Sequence, residues 1–448
     1  MIVSKVNTKL IYKHNNRFEG KHYLNNSSYL SLQLEKNEKQ CCALSSLAEV
    51  FNPPVFKRQF CKNTPRAVPY FQSSDVQSAS ERSAVYIYKG QAQSLNLLVK
   101  ENDILVTGFG TIGNTRLVSK FQDGACYANN VCRIRTTEHT GFIYAFISGK
   151  YGKAQLNTNA SGSVVRYIES PGIKKILVPI FSETFQQDVD NLVQEATRLR
   201  EKAIDELKEA HKMIEQMFDN VSKTKKNNVS IRSILSSHNK RFEAFYHVSE
   251  NRSVYNFIIE NFKYKTLGEL TSRIFRPGIF KREYVTNGIT FLGGADILMT
   301  IPNSEKKLSF RQVKNMPTLT IKKDWILVTC GGTIGNTVLV DNQLEKCVVS
   351  QHVMRVVPKD DVKKGYIYAL LSSRVGKELI TLFSTGSVIP QIEAQHLEMV
   401  PIPMLENDVM NRIDRLVSSY ISKNEVSKDK ERKAIRMVEQ EIEKWNKH

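Results

Sequence analysis

Apolar positions along this chain keep two different rhythms, and each predicts a different element. From residue 183 to 222 there is neither Gly nor Pro. The apolar residues there fall at Phe185, Val189, Leu192, Ala196, Leu199, Ala203, Leu207, Ala210, Ile214 and Met217. Steps of three and four residues are a heptad seam, so the segment predicts one long amphipathic helix. Forty residues at 1.5 Å each span about 60 Å, more than one small domain can cover. Residues 405–448 are equally free of Gly and Pro, with seams at Val409, Ile413, Leu416 and Tyr420 and at Ile435, Val438, Ile442 and Trp445. The stretch between them, residues 422–433 (SKNEVSKDKERK), is too polar to extend the seam. Such helices pack on their own domains or on each other. Pairing as an antiparallel coiled coil is favoured, because a long seam needs a partner. Elsewhere the apolar runs are short and rich in β-branched residues, at 85–88, 104–107, 131–135, 326–329, 348–349 and 352–357, with helices expected at 143–155 and 367–382. Gly, Asn and Pro punctuate them, which predicts α+β globules with a partly antiparallel or barrel-like sheet.

The chain is a duplication. His14-Asn15-Asn16-Arg17-Phe18-Glu19-Gly20 recurs as His238-Asn239-Lys240-Arg241-Phe242-Glu243-Ala244, and Phe51-Asn52-Pro53-Pro54-Val55-Phe56-Lys57-Arg58 as Phe275-Arg276-Pro277-Gly278-Ile279-Phe280-Lys281-Arg282. VTGFGTIGNTRLV (106–118) recurs as VTCGGTIGNTVLV (328–340), identical at ten of thirteen positions. GFIYAFIS (141–148) matches GYIYALLS (365–372), Ser161-Gly162-Ser163-Val164 matches Thr385-Gly386-Ser387-Val388, and Val178-Pro179-Ile180 matches Val400-Pro401-Ile402. Six blocks in one order at offsets of 222–224 describe two whole domains in tandem, too long a period for a solenoid. The expected organisation is a domain at 1–182, a long helix at 183–222, a second domain at 223–404 and a second long helix at 405–448, with 222–228 as the linker.

Composition then narrows the class. The 448 residues are 41% hydrophobic and 24% charged, an ordinary globular balance, and no window approaches the apolar length of a transmembrane helix. No signal peptide is read at the N-terminus, and seven cysteines without a C-x-x-C pair suggest neither a disulfide framework nor a zinc site. A soluble, cytoplasmic protein is expected. The net charge of +19 divides as +12 on 1–182, −5 on 183–222, +11 on 223–404 and +1 on 405–448. Two similar basic domains with near-neutral or acidic helices suit two grips on an extended polyanion, whereas a membrane-binding helix would carry the charge itself.

Three motifs resemble catalytic ones and are tested by the repeat. Gly108-x-Gly110-x-x-Gly113 has dinucleotide-binding spacing, but the second copy has Cys330 at the first position, and β-branched residues rather than a helix follow. The glycines are read as a tight strand–turn–strand connection with Thr and Asn bonding its backbone. Asn52-Pro53-Pro54-Val55 resembles an amino-methyltransferase signature, yet its fourth residue is not aromatic and the second copy reads Arg276-Pro277-Gly278-Ile279. What both copies share is a turn presenting Lys57/Arg58 and Lys281/Arg282, read as phosphate contacts. The paired His14/His238 and Glu19/Glu243 complete no metal set or triad, so a catalytic role is not expected.

The Arg-Phe-Glu-Gly/Ala opening, the paired GTIGNT blocks, the Ser/Thr-Gly-Ser-Val block running into Val-Pro-Ile, and the long helix after each copy together resemble a specificity subunit of a Type I restriction-modification system. That resemblance covers essentially the whole chain. It implies two target-recognition domains, each reading half of a bipartite sequence in double-stranded DNA. It also implies an antiparallel coiled coil that sets the spacer and docks methyltransferase subunits, two being expected. Restriction motor-nuclease subunits complete the complex, and S-adenosylmethionine, ATP and Mg are expected in the partner subunits only. A specificity subunit of a related two-subunit restriction system and a non-specific basic DNA-binding scaffold stay open beside it. Base or groove contacts are expected where the copies differ, at Arg66, Arg82 and Arg116 and at Arg273, Arg276 and Arg311, with the shared Asn114/Asn336 and Ser163/Ser387 as further DNA-binding candidates.

Overall fold

A computed structural model describes residues 8–13, 20–23, 25–79, 83, 85–162, 165–221, 228–237, 240–386 and 390–445. The paired His14/His238, Glu19, Arg82, Ser163, Ser387 and most of the expected linker (222–227) lie outside the described residues. The chain forms two compact units, Met1–Glu201 with Val426–His448, and Lys202–Glu425. Each unit holds one copy of the repeat together with a stretch of each long helix.

In the first unit the β-branched runs assemble a four-stranded antiparallel sheet in the order Ala48–Phe51, Val131–Thr136, Ile104–Thr107, Thr115–Leu117. The second unit repeats it with Thr271–Phe275, Val353–Pro358, Ile326–Thr329 and Thr337–Leu339. The central pair keeps the same register in both, Ile104 facing Ile134 and Ile326 facing Val356, while the outer strand Thr271–Phe275 carries a register shift between Thr271 and Arg273. All four residues of Ile104–Thr107 and of Ile326–Thr329 are buried, as suits an unbroken apolar run covered on both faces. A smaller sheet stands beside each: Phe60–Cys61, Tyr86–Tyr88, Ala67–Phe71 and Cys126–Tyr127 in one, Lys307–Leu308, Tyr284–Leu292 and Val348–Val349 in the other. Each smaller sheet ends in a parallel pair, Tyr70 opposite Cys126 and Phe291 opposite Val348.

The helix expected at 143–155 is two helices, Thr140–Ser148 and Lys150–Thr158, and that at 367–382 is likewise Lys364–Ser372 and Arg374–Leu382. The reason is steric. Gly152 and Gly376 bring the second helix of each pair against the closing carbonyls of the first, where a Cβ would overlap Phe146 O or Leu370 O. The chain turns a corner there that one straight helix could not.

The long segments are helical over Glu183–Glu215, continued by a 3-10 turn to Phe218, and over Asn407–Lys444. Within the first unit Trp445 lies against Phe181 and Ser427 Oγ donates to Ala196 O at 2.7 Å, so the two helices run antiparallel there. Within the second unit Arg412 pairs with Glu209 at 2.6 Å and Ser419 Oγ lies 3.0 Å from Glu206 Oε1, again antiparallel. The polar middle of the second helix is explained by these contacts. Ser427, Lys428 and Glu431 are buried, and Glu431 accepts from Tyr144 Oη at 2.6 Å and pairs with Arg200. Hydrogen bonds take the place of the seam.

Each core closes over both helices. In the first unit Val189 and Val193 of one helix and Ala434, Val438 and Ile442 of the other join the apolar face of the sheet and of Thr140–Ser148. In the second unit Ala210, Ile214 and Phe218 meet Met410, Ile413 and Val417 in the same way.

Candidate nucleic-acid interface

The Lys-Arg turn of each copy is an irregular strap leading into its smaller sheet. Its first anchor is a proline, Pro53 or Pro277, buried at the base. The second is a glutamine from a short helix. Gln91 Nε2 donates to Lys57 O at 2.8 Å while Gln91 Oε1 accepts from Gln59 N at 3.2 Å. Gln312 does the same in the second copy, donating to Lys281 O at 2.7 Å and accepting from Glu283 N at 3.0 Å. A single amide thus satisfies a carbonyl and an N–H on either side of the Arg, which fixes the turn without a regular ladder. The third anchor is aromatic. Arg58 lies over the Tyr70 ring at 5.7 Å and Arg282 over the Phe291 ring at 5.5 Å, at matching places in the smaller sheets. Burial raises the Tyr70 hydroxyl above its ordinary range, and the Arg58 guanidinium works against that shift.

Arg58 and Arg282 are exposed but lean on rings, and Lys57 and Lys281 beside them are exposed as well. Arg66 is also exposed, with its carbonyl taken by Lys89 N at 2.8 Å, so Lys89 and Arg66 stand by the same sheet. In the second copy Arg311 is exposed on the short helix that carries the clamping Gln312. Arg282 also reaches Gln351 Oε1 at 3.2 Å, next to the GTIGNT loop, since Cys330 Sγ contacts Gln351 O.

Other candidates are differently placed. Arg116 is buried, and its guanidinium donates to Ser78 O at 2.5 Å and Val76 O at 3.4 Å, so it ties down a loop from inside. Arg273 is exposed on the larger sheet, over the Phe275 ring at 4.1 Å. Arg276 is half-buried and paired with Glu393 at 2.5 Å, where the first copy has Asn52 joining Ser170 N and Asn129 O. Arg82, Ser163 and Ser387 lie outside the described residues.

The GTIGNT blocks form the tight connection between antiparallel strands. Thr107 Oγ1 donates to Thr111 O at 2.5 Å and accepts from Asn114 N at 3.0 Å; Thr329, Thr333 and Asn336 repeat this at 2.6 and 3.0 Å. Gly110 and Gly332 hold φ of 72° and 76°, a conformation that favours glycine. Asn336 Oδ1 accepts from Lys377 Nζ at 3.3 Å. Asn114 is half-buried in the same place.

Two residues that the sequence reading passed over matter as much as any of these. Arg133 and Arg355 are fully buried and lie 222 residues apart. Arg355 donates to the carbonyls of Ser350, Val353, Leu319 and Val349 at 2.6–3.1 Å, and Arg133 to those of Ala128, Val131, Leu97 and Tyr127. Burial lowers Arg133 to about 10 and Arg355 to about 9, so both stay charged at neutral pH. The signal was an Arg at one repeat offset, third in strands that open Val-Cys and Val-Met. Nearby, burial pushes the Cys126 and Cys132 thiols up to about 12, which leaves them protonated and unreactive. Among the described residues no group of three His, Cys, Asp or Glu side chains could hold a metal ion, and no helix is long and apolar enough to cross a membrane.

Comparison with known proteins adds a family. A family model described as Type I restriction modification DNA specificity domain matches residues 36–209 and again 259–435. The Type I restriction enzyme MjaIX specificity subunit of Methanocaldococcus jannaschii is 25% identical over 162 residues, 35% of this chain and 37% of that protein's length. Among solved structures, the S subunit of a Type I restriction-modification system from M. genitalium aligns at 12% identity and TM-score 0.36, covering 90% of this chain and 95% of the other. The HsdS subunit from Thermoanaerobacter tengcongensis aligns at 15% identity and TM-score 0.29 over 90% and 95%. The two stretches matched by the family model take in more than half of the chain and fall one on each copy of the repeat, so the chain belongs to the Type I restriction modification DNA specificity domain family and carries that domain twice.

Proposed function

We propose that this chain is the DNA sequence-specificity subunit of a Type I restriction-modification complex, and that each copy binds one half of a bipartite duplex target. The observation that carries this is the duplicated specificity domain in which each copy has its own clamped Lys-Arg strap. The near-equal surplus of +12 and +11 supports it, because phosphate contact needs such a surplus in each grip. The chain itself is the non-catalytic reader. Methyltransferase subunits, two in number, dock on the long helices, bind S-adenosylmethionine and modify the DNA. Restriction motor-nuclease subunits use ATP and Mg. The helices set the spacer between the half-sites. The complex works where the chromosome is, in the cytoplasm.

The test is methylome sequencing of cells that express the chain with its partner methyltransferase. Exchanging residues 1–182 for the corresponding segment of another family member should change one half of the methylated target and leave the other half unaltered. A change in both halves, or methylation without a bipartite target, would overturn the reading.

A further inference from the structure

The strap has one residue for which none of its anchors accounts. Val55 is 87% exposed and Ile279 is 95% exposed, and they are the same position of the repeat, 224 residues apart. A lone exposed aliphatic is ordinary on a protein surface. Here it stands twice, on a strap whose neighbours are tied down. Phe56 and Phe280, the next residues, turn inward and pack with Tyr70 and Phe291 respectively. Phe60 and Tyr284 stand edge-on to those same rings, at centroid distances of 5.9 and 6.3 Å. The glutamine clamps hold the residues between. A branched apolar side chain is thus held out in water on a braced support, two residues before the exposed Lys57 or Lys281.

We propose that Val55 and Ile279 are apolar probes that enter a groove of the duplex and press on the apolar surface of the bases, while Lys57 and Lys281 hold the adjoining phosphates. The proposal rests on the DNA-specificity reading and deepens it. The charge beside each tip selects the occupant, since lysine two residues away suits a polyanion and not an apolar protein surface. The base surface that takes an aliphatic side chain is either the thymine 5-methyl edge or the face of an opened base step. Both are apolar and suit a branched aliphatic tip.

The experiment uses the chain assembled with its partner methyltransferase, and duplexes carrying the target recovered from the methylome. Val55→Ser and Ile279→Ser, made singly, should each weaken target binding by roughly tenfold or more. Binding to an unrelated duplex at the same salt should stay unchanged, as should thermal unfolding of the complex. Val55→Ile and Ile279→Val should retain binding. Deoxyuridine in place of each thymine then identifies a methyl contact, and 2-aminopurine fluorescence identifies an opened step. Serine variants that bind the target as the original does, or that lose the unrelated duplex equally, overturn the proposal. Failure of the underlying reading looks different: the unsubstituted complex would itself fail to distinguish target from unrelated duplex.

Discussion

At the scale of single residues, an arginine's role is decided by strand register rather than by its charge. Arg133 and Arg355 point into the structure and spend their guanidinium groups on four main-chain carbonyls each. A lysine there could reach at most a few of those carbonyls and would leave the rest buried without a donor. Arg355→Lys should therefore lower stability by about 3 kcal/mol, read as the shift in a denaturant midpoint with unchanged slope. Arg116 teaches the converse. Its difference from Val338 in the second copy suggested a sequence-reading role, yet Val338 packs against an apolar cluster while Arg116 bonds carbonyls. Difference between copies marks divergent packing as readily as divergent recognition. Register and burial are tertiary facts, and a sequence shows neither directly.

At the scale of elements, the repeat made most of the parts legible but not their joints. The strands at 104–107 and 326–329 and the turn chemistry of GTIGNT followed from β-branched runs and paired glycines. The split helices did not, because Gly152 and Gly376 look like weak helix residues until their neighbours' carbonyls are placed. The joint between each first short helix and the long helices was also written at one offset. Asp190 Oδ1 accepts from Gly141 N at 2.6 Å and Asp414 Oδ1 from Gly365 N at 2.8 Å, so a carboxylate from a long helix caps the start of a short one. Glycine lets the two helices meet closely, since a Cβ at position 365 would lie 3.0 Å from the Asp414 main-chain oxygen as well as 2.8 Å from that same carboxylate oxygen. Asp414→Ala should cost about 1 kcal/mol, the usual loss of a helix cap. Gly365→Ala should cost more, because the helix must move away from its support, and paired thermal melts would order the two variants.

At the scale of the whole molecule, charge and period together carried the functional reading. A sum of +19 said only that some anion is bound, whereas its division into two basic copies matched the two family domains. Non-specific duplex affinity falls linearly with the logarithm of salt, at about 0.9 in slope per phosphate neutralised. Lys57→Ala together with Lys281→Ala should flatten that slope by about 1.8, measured by titrating unrelated duplex across a salt series. An unchanged slope would move the phosphate contacts off the straps. Base contacts of the kind proposed are not written in charge or period at all, because they depend on where individual side chains meet base edges.

One feature of the first core bears on how the molecule is made. Ala434, Val438 and Ile442 close it, although nearly all of its other residues come before Glu201. The segment Lys202–Glu425 holds every buried residue of its own main core and needs nothing from beyond. On the ribosome the earlier-translated unit therefore cannot close its core when only its own copy of the repeat has been made. It must wait, with an open apolar groove, until the last turns of helix emerge, and a nascent chain stalled before Val426 would present that groove to chaperones.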